Sequence, residues 1–254
     1  MKMRNGIEKE SIKNYKTNGF SCPLHYLQFI SFLIYGLNAA IFFCINIISC
    51  YQGYFFDYIN ISIYSVLFLL LVILVLIVSI INPIDPIVSI QKFSNQLPNQ
   101  PFIQNQKYFC SICNCKVQES TRHCGECNKC IELYDHHCTW INNCIGKSNY
   151  RYFLSLIFVV LCILLFQFGH NIYSLIIISK GMARENFIYY YGCDIQILSF
   201  ILLGIVIVDN LIFGFFITEL IIIHLWLVSK NLTSYEYSLI LKGEAIYTDK
   251  GIVK

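Results

Sequence analysis

The chain has 254 residues, of which 56% are hydrophobic and 13% charged, with a net charge of +3 and a mean hydropathy of +0.58. A soluble domain carries about 25% charged residues, so this composition, with its apolar residues gathered into long runs, excludes an ordinary soluble domain and indicates a polytopic membrane protein. No basic stripe is present, which excludes a nucleic-acid-binding protein.

Residues 1–25 are polar and carry Lys2, Arg4, Lys9, Lys13 and Lys16. The segment is too long and mixed for a signal-peptide n-region, and no small-residue cleavage site follows the next apolar run, so it is expected to be a retained tail. A first span is predicted over about 26–49 and a second over about 59–81. Each is long enough for the ~30 Å hydrocarbon core at ~1.5 Å per residue. The loop between them holds Asp57 and no Lys or Arg. Asn82, Pro83, Asp85 and Pro86 end the second helix, since proline cannot continue one. A polar, Gln/Asn-rich linker is expected over 87–108. A third span is predicted at about 152–175 and a fourth within 195–228, placing Asp209 and Asn210 near the far interface. His170, Asn171 and Glu219 are further polar residues of the spans. Cys44 and Cys162 read as apolar fill.

The predicted architecture is an all-α polytopic membrane protein with four transmembrane helices. A small zinc-stabilised, cysteine-rich domain lies between helices 2 and 3. Its segments are an N-terminal tail (1–25), helices 1 and 2 (26–81), a linker and zinc domain (82–149, core 107–149), helices 3 and 4 (150–229) and a C-terminal tail (230–254). Sixteen Lys/Arg fall in the two tails and the central segment, against two (Lys180, Arg184) in the opposite loops. The positive-inside bias therefore predicts cytosolic termini and a cytosolic cysteine-rich domain, where thiols stay reduced and available to metal.

The stretch 110–144 holds eight of the thirteen cysteines and three of the six histidines. It repeats with a period of fourteen: Cys110, Cys113, Asn114 and His123 recur as Cys124, Cys127, Asn128 and His137. A third, partial copy follows in Cys138, Asn142 and Cys144. Zinc takes four tetrahedral Cys or His ligands, and C-x2-C is its usual half-site. The repeat assigns Cys110, Cys113, His123 and Cys130 to one zinc, and Cys124, Cys127, His137 and Cys144 to a second. Both read C-x2-C-x9-H-x6-C, and they interleave. About forty residues with few large apolar side chains need such staples to fold. A single zinc with idle cysteines is the competing reading. Cys115 has no role in the repeat beyond a counterpart at Lys129; it is either a free thiol or a substitute for one assigned ligand.

The repeat also leaves Asp135, His136 and Cys138 unclaimed. Cys138 matches Cys124 but cannot open a metal half-site, because position 141 is Ile. Asp, His and Cys together can supply an orienter, a base and a nucleophile, and a nearby imidazolium favours a thiolate. Residues two apart on an extended strand share a face, which suits His136 and Cys138. A purely structural zinc module with a spare thiol is the alternative from spacing alone.

At these residues the sequence resembles the DHHC family of protein S-acyltransferases (palmitoyltransferases). The resemblance is carried by Asp135-His136-His137-Cys138, then Trp140, Asn143, Cys144, Gly146 and Asn149. Asp85-Pro86 resembles the family's Asp-Pro-Gly motif, and Thr233-Ser234-Tyr235-Glu236 its Thr-Thr-x-Glu motif. The two-span, cysteine-rich, two-span layout matches as well. The chain departs from the family at Thr139 (usually Pro), Val117-Gln118-Glu119-Ser120 (usually Lys-Pro-x-Arg), Ile87 (usually Gly) and Ser234 (usually Thr).

The resemblance implies a palmitoyl-CoA-dependent enzyme that forms a thioester intermediate. A long-chain acyl group moves from acyl-CoA to Cys138, then to cysteines of membrane-associated substrate proteins at the membrane–cytosol interface. His136 is the implied base and Asp135 the orienter. Two structural Zn2+ are the implied metals and the lipid bilayer the setting, in the endomembranes (Golgi or ER) or the plasma membrane. Lys129, Lys147 and Arg151 are candidates for the CoA phosphates, and Cys22 is a candidate for acylation itself. A non-enzymatic or weakly active zinc-binding membrane scaffold is the rival reading. A RING-type ubiquitin ligase is excluded, since no C-x2-C pair follows Cys144.

Overall fold

The computed structural model describes residues 15–51, 55–93, 106–248 and 251–253. Lys2, Arg4, Lys9 and Lys13, part of the first interspan loop and most of the Gln/Asn-rich linker lie outside the described residues. Four helices are long and apolar enough to cross a membrane: α1 (Tyr26–Cys50), α2 (Phe55–Ile80), α4 (Tyr150–Ser179) and α6 (Gln196–Ser229). The chain is a multi-pass membrane protein of mostly helical structure. Three short helices join them: α3 (Pro86–Phe93), α5 (Arg184–Tyr191) and α7 (Ser234–Leu241). At ~1.5 Å per residue, the 34 residues of α6 run ~51 Å, longer than a ~30 Å core.

The chain divides into two compact units. One gathers Met1–Gln28, Leu76–Phe153 and His224–Lys254; the other gathers Phe29–Val75 and Leu154–Ile223.

The first unit contains the cysteine-rich stretch, which is built from three antiparallel hairpins. These pair β1 (Tyr108–Cys110) with β2 (Cys115–Val117), β3 (Arg122–Cys124) with β4 (Lys129–Ile131), and β5 (His136–Cys138) with β6 (Asn143–Ile145). Their starts step by fourteen residues, so the sequence repeat is a hairpin repeat. The recurring asparagine explains itself: Asn114, Asn128 and Asn142 have φ of 51°, 50° and 54°. A short polar side chain tolerates that left-handed conformation, which other non-glycine residues resist. A fourth hairpin pairs β7 (Ile246–Thr248) with β8 (Gly251–Val253).

The register also places Cys115. Cys110 pairs with Cys115, Cys124 with Lys129, and Cys138 with Asn143. These three partners anchor the hairpins to their surroundings. Lys129 Nζ donates to Thr17 O (3.0 Å) and Asn82 Oδ1 (2.7 Å). Asn143 Nδ2 donates to the carbonyls of Val78, Ser79 and Ile81, at the end of α2. Cys115 is buried in a cluster with Val88 of α3, Cys113, Val117 and Cys130. Asp85 secures the same junction. Its buried carboxylate accepts from Thr121 Oγ1 (2.6 Å), Ile87 N (2.8 Å) and Gln118 N (3.2 Å). The Ile87 bond caps α3, whose first residue is Pro86, a position where a missing N–H costs nothing.

In the second unit, an apolar cluster of Ile45, Ile177, Ile178, Ala183, Phe187 and Leu203 surrounds the turn into α5. Buried amides tie the helices: Asn46 Nδ2 donates to Asn171 Oδ1 (2.7 Å), and Gln167 Nε2 donates to Asn38 O (2.9 Å). Asn38 Nδ2 also donates to Asp209 Oδ2 at 3.2 Å. Asn38 is the thirteenth of the 25 residues of α1. Asp209 therefore meets α1 at its midpoint, not at the far interface expected from sequence. A carboxylate there gains a partner that the apolar flanks cannot offer.

Candidate active site and metal centres

The hairpins bring the eight predicted ligands together as two separate groups. Cys110, Cys113, His123 and Cys130 form one, and Cys124, Cys127, His137 and Cys144 the other; in each, the donor atoms lie within 4.8 Å of one another. His123 Nδ1 lies 3.4 Å from Cys113 Sγ and 3.9 Å from Cys130 Sγ. His137 Nδ1 lies 3.4, 3.6 and 3.9 Å from the sulfurs of Cys127, Cys144 and Cys124. Around a tetrahedral zinc with bonds of ~2.0–2.3 Å, neighbouring donors are about 3.3–3.8 Å apart. The sulfur-rich donor set and its spacing fit such an ion, and both clusters can hold a metal. The backbone N–H of Cys113 donates to Cys110 Sγ (3.4 Å), as expected of a tight C-x2-C turn. Cys115 is not among the ligands of either group.

The third hairpin carries Asp135, His136 and Cys138. Its first cysteine is Cys138, buried at 8% exposure and outside both metal groups. Strand alternation sends His137 to the second metal group while His136 and Cys138 share the opposite face. The His136 ring stands beside the Cys138 thiol on that face. Its Nδ1 lies 2.7 Å from Asp135 Oδ2. Burial opposes a charged His136 ring, but the neighbouring Asp135 and Cys138 outweigh it and raise its pKa to about 9. Burial likewise opposes an ionised Asp135, yet the His136 contact and the Ser234 N–H hold its pKa below the ordinary carboxylate value.

The C-terminal motif reaches this site directly. Thr233 caps α7: its Oγ1 accepts from Glu236 N (3.2 Å), and its N–H donates to Glu236 Oε2 (3.0 Å), a reciprocal capping box. The cap fixes the first turn, so the N–H of Ser234 points at Asp135 Oδ1, 2.8 Å away. Asp135 thus has one oxygen on a helix N-terminus and the other on His136, an arrangement that favours its charge.

Further groups complete the surroundings. Phe153 packs edge-on against His136, at 5.3 Å between ring centroids. His224 of α6 lies 6.1 Å from His136 by the same measure, and its Nδ1 is 3.0 Å from the Tyr150 hydroxyl. His224 was not singled out from sequence. The signal was a buried imidazole inside the apolar run 220–228, a residue type that membrane spans carry at a cost. Gly146 is required sterically, since a Cβ there would meet Ile131 Cγ2 at 2.6 Å and Glu132 O at 2.8 Å. Asn149 Oδ1 accepts from Gly146 N (3.0 Å) and its Nδ2 donates to Cys144 O (2.9 Å), which seats the start of α4. Of the lysines proposed for CoA phosphates, Lys129 is buried in the bonds given above and is withdrawn. Lys147 is exposed and pairs with Glu132 at 2.6 Å.

These elements define a class: a multi-pass membrane protein whose interspan domain joins two Cys/His metal centres to an Asp–His–Cys constellation. The model of the DHHC palmitoyltransferase family matches residues 103–239, and the chain belongs to that family. Palmitoyltransferase ZDHHC11 of Homo sapiens is 28% identical over 276 residues, covering 94% of this chain and 66% of that protein. Probable protein S-acyltransferase 22 of Arabidopsis thaliana is 35% identical over 140 residues, covering 54% of this chain and 24% of that protein. The chain thus spans just under two-thirds of the first relative and about a quarter of the second.

Proposed function

We propose that this chain is a protein S-acyltransferase with Cys138 as nucleophile, His136 as base and Asp135 as orienter of the His136 ring. The observation that carries this reading is the third hairpin: a buried thiol, outside both metal groups, two residues along the same strand face from an imidazole whose Nδ1 lies 2.7 Å from a carboxylate oxygen. His136 accepts the proton of Cys138, and the sulfur attacks the thioester carbonyl of a long-chain acyl-CoA such as palmitoyl-CoA. The CoA thiolate leaves and takes the proton from His136. In the second half, His136 accepts the proton of a substrate protein's cysteine, whose sulfur attacks the Cys138 thioester. Cys138 leaves and is reprotonated. One thioester replaces another in each half, so no separate energy source is needed. Asp135 keeps Nδ1 of His136 protonated, leaving the other nitrogen to receive the thiol proton.

Zn2+ is the ion we assign to both Cys/His groups, with the eight ligands named above and a structural role: each would couple on the order of 10 kcal/mol of binding to folding of the hairpins. The positive-inside bias supports cytosolic termini and a cytosolic metal domain, with the domain limits given above, in an endomembrane or the plasma membrane. Substrates are then membrane-associated proteins with cysteines at the cytosolic interface. Lys147 and Arg151 remain candidates for the CoA phosphates.

The test is labelling of purified protein with a radiolabelled or clickable long-chain acyl-CoA. A hydroxylamine-labile adduct on Cys138 is expected in wild type and is lost in Cys138→Ala. Equal labelling of both proteins, or none in a folded wild type with two bound zincs, would reject the enzyme in favour of a metal-binding scaffold.

A further inference from the structure

Asp135, His136 and His224 form a third cluster of metal-binding side chains. One donor atom from each lies within 4.8 Å of the other two, and none of the three belongs to the Cys/His groups. Two imidazoles and a carboxylate are a zinc donor set that leaves a fourth position open. The outer contacts are those of ligands already fixed in orientation. His224 is 2% exposed, and its Nδ1 is hydrogen-bonded to the Tyr150 hydroxyl, which leaves Nε2 for an ion. Asp135 is also 2% exposed. Its Oδ1 is occupied by the Ser234 N–H, which leaves Oδ2 to ligate.

We infer that this cluster is an inhibitory site for a divalent transition metal, with Zn2+ the ion its donors fit, formed where the Asp135–His136 hydrogen bond now lies. The inference rests on the reading of His136 as the base. Oδ2 of Asp135 and Nδ1 of His136 are 2.7 Å apart and share one hydrogen. An ion on Nδ1 displaces that hydrogen, and the neutral ring then carries its single proton on Nε2. That nitrogen, the one assigned above to receive the thiol proton, then has no lone pair to accept it. Attack on the thioester stops while both structural centres stay intact. His224 contributes the third donor and carries the distinction between this site and an ordinary Asp–His pair.

The experiment uses the full chain in detergent or nanodiscs. Protein is equilibrated with buffered Zn2+, bound metal is counted by mass spectrometry, and Cys138 acylation is followed at each zinc level. Wild type is expected to hold a third ion and to lose acylation as it fills. His224→Gln is expected to keep two ions, which also reports that it is folded. Relative to its own rate with only the two structural ions bound, its midpoint of inhibition should rise at least about tenfold, and that of Tyr150→Phe by about tenfold, the usual cost of losing an outer-shell partner. Co2+ in place of Zn2+ should give an additional visible absorption from an N/O-ligated ion in wild type and not in His224→Gln. The inference is overturned if wild type holds only two ions, if His224→Gln binds the third equally well, or if the third ion leaves acylation unchanged. If wild type holding only its two structural ions fails to acylate Cys138 while the third ion still depends on His224, the site stands, its inhibitory role is overturned, and the acyltransferase reading fails with it.

Discussion

Replacing Ser234 by proline tests whether a backbone N–H on α7 sets the reactivity of a strand ninety-nine residues away. Ser234 is the first residue of α7, and Thr233 before it is extended, with φ −88° and ψ 158°. Proline is accepted at a helix's first position and prefers an extended predecessor, so Ser234→Pro keeps the helix and its Thr233–Glu236 cap. What it removes is the hydrogen between Ser234 N and Asp135 Oδ1, now 2.8 Å apart. The ring's Cδ takes that hydrogen's place, and the carboxylate must also shift away. A hydrogen bond to a charged group contributes about 1.5–3 kcal/mol. If that is lost from the poised Asp135–His136 pair, formation of the Cys138 acyl-enzyme should slow about 10- to 150-fold, at roughly 1.4 kcal/mol per factor of ten. Ser234→Ala keeps the N–H and should label near the wild-type rate. The assay is single-turnover labelling with acyl-CoA, with bound zinc counted to confirm folding. A Ser234→Pro protein that holds two zincs and labels at the wild-type rate would refute the reasoning. So would a Ser234→Ala protein that falls equally far.

Four further outcomes are expected. Asp85→Ala leaves the buried donors of Thr121 and Ile87 and the half-buried N–H of Gln118 unmatched and should cost on the order of 3–5 kcal/mol, read as a lower midpoint of urea-induced unfolding of the metal domain. Gly146→Ala forces its Cβ against Ile131 and the Glu132 carbonyl and should cost about 1–3 kcal/mol in the same measurement. Cys113→Ser should lose one ion by mass spectrometry, whereas Cys115→Val should keep two, because Cys115 packs beside a metal group without joining it. A strong chelator should unfold the hairpins and abolish Cys138 labelling, while far-ultraviolet circular dichroism of the spanning helices changes little.

Local chemistry made much of this protein readable from its sequence. Four apolar runs require four helices, because a backbone in hydrocarbon must satisfy its own hydrogen bonds. A cysteine repeat requires metal, because so small a domain buries too little to hold itself. The same repeat separated Cys138 from the ligand cysteines by elimination: Ile141 stands where a half-site needs a thiol. Short-range signals failed where a residue's role depends on what folds against it. Lys129 looks like a surface charge in sequence, yet the hairpin register turns it inward onto Thr17 and Asn82. Cys115 looks idle until its pairing with Cys110 shows it filling the junction with α3. Counting back from Lys230 puts Asp209 near the far interface, but its level in the second unit is set by Asn38.

The sequence by itself determined the membrane class, the two donor sets and the unclaimed Asp–His–Cys trio, since hydropathy, spacing and valence all act within a few tens of residues. Tertiary structure alone decided what surrounds that trio. Ser234 and His224 approach Asp135 and His136 from 99 and 88 residues away, and no periodicity encodes such a meeting. It comes from the capped start of α7 and the path of α6, which bring a backbone N–H to Asp135 and a second imidazole beside an adjacent Asp–His pair.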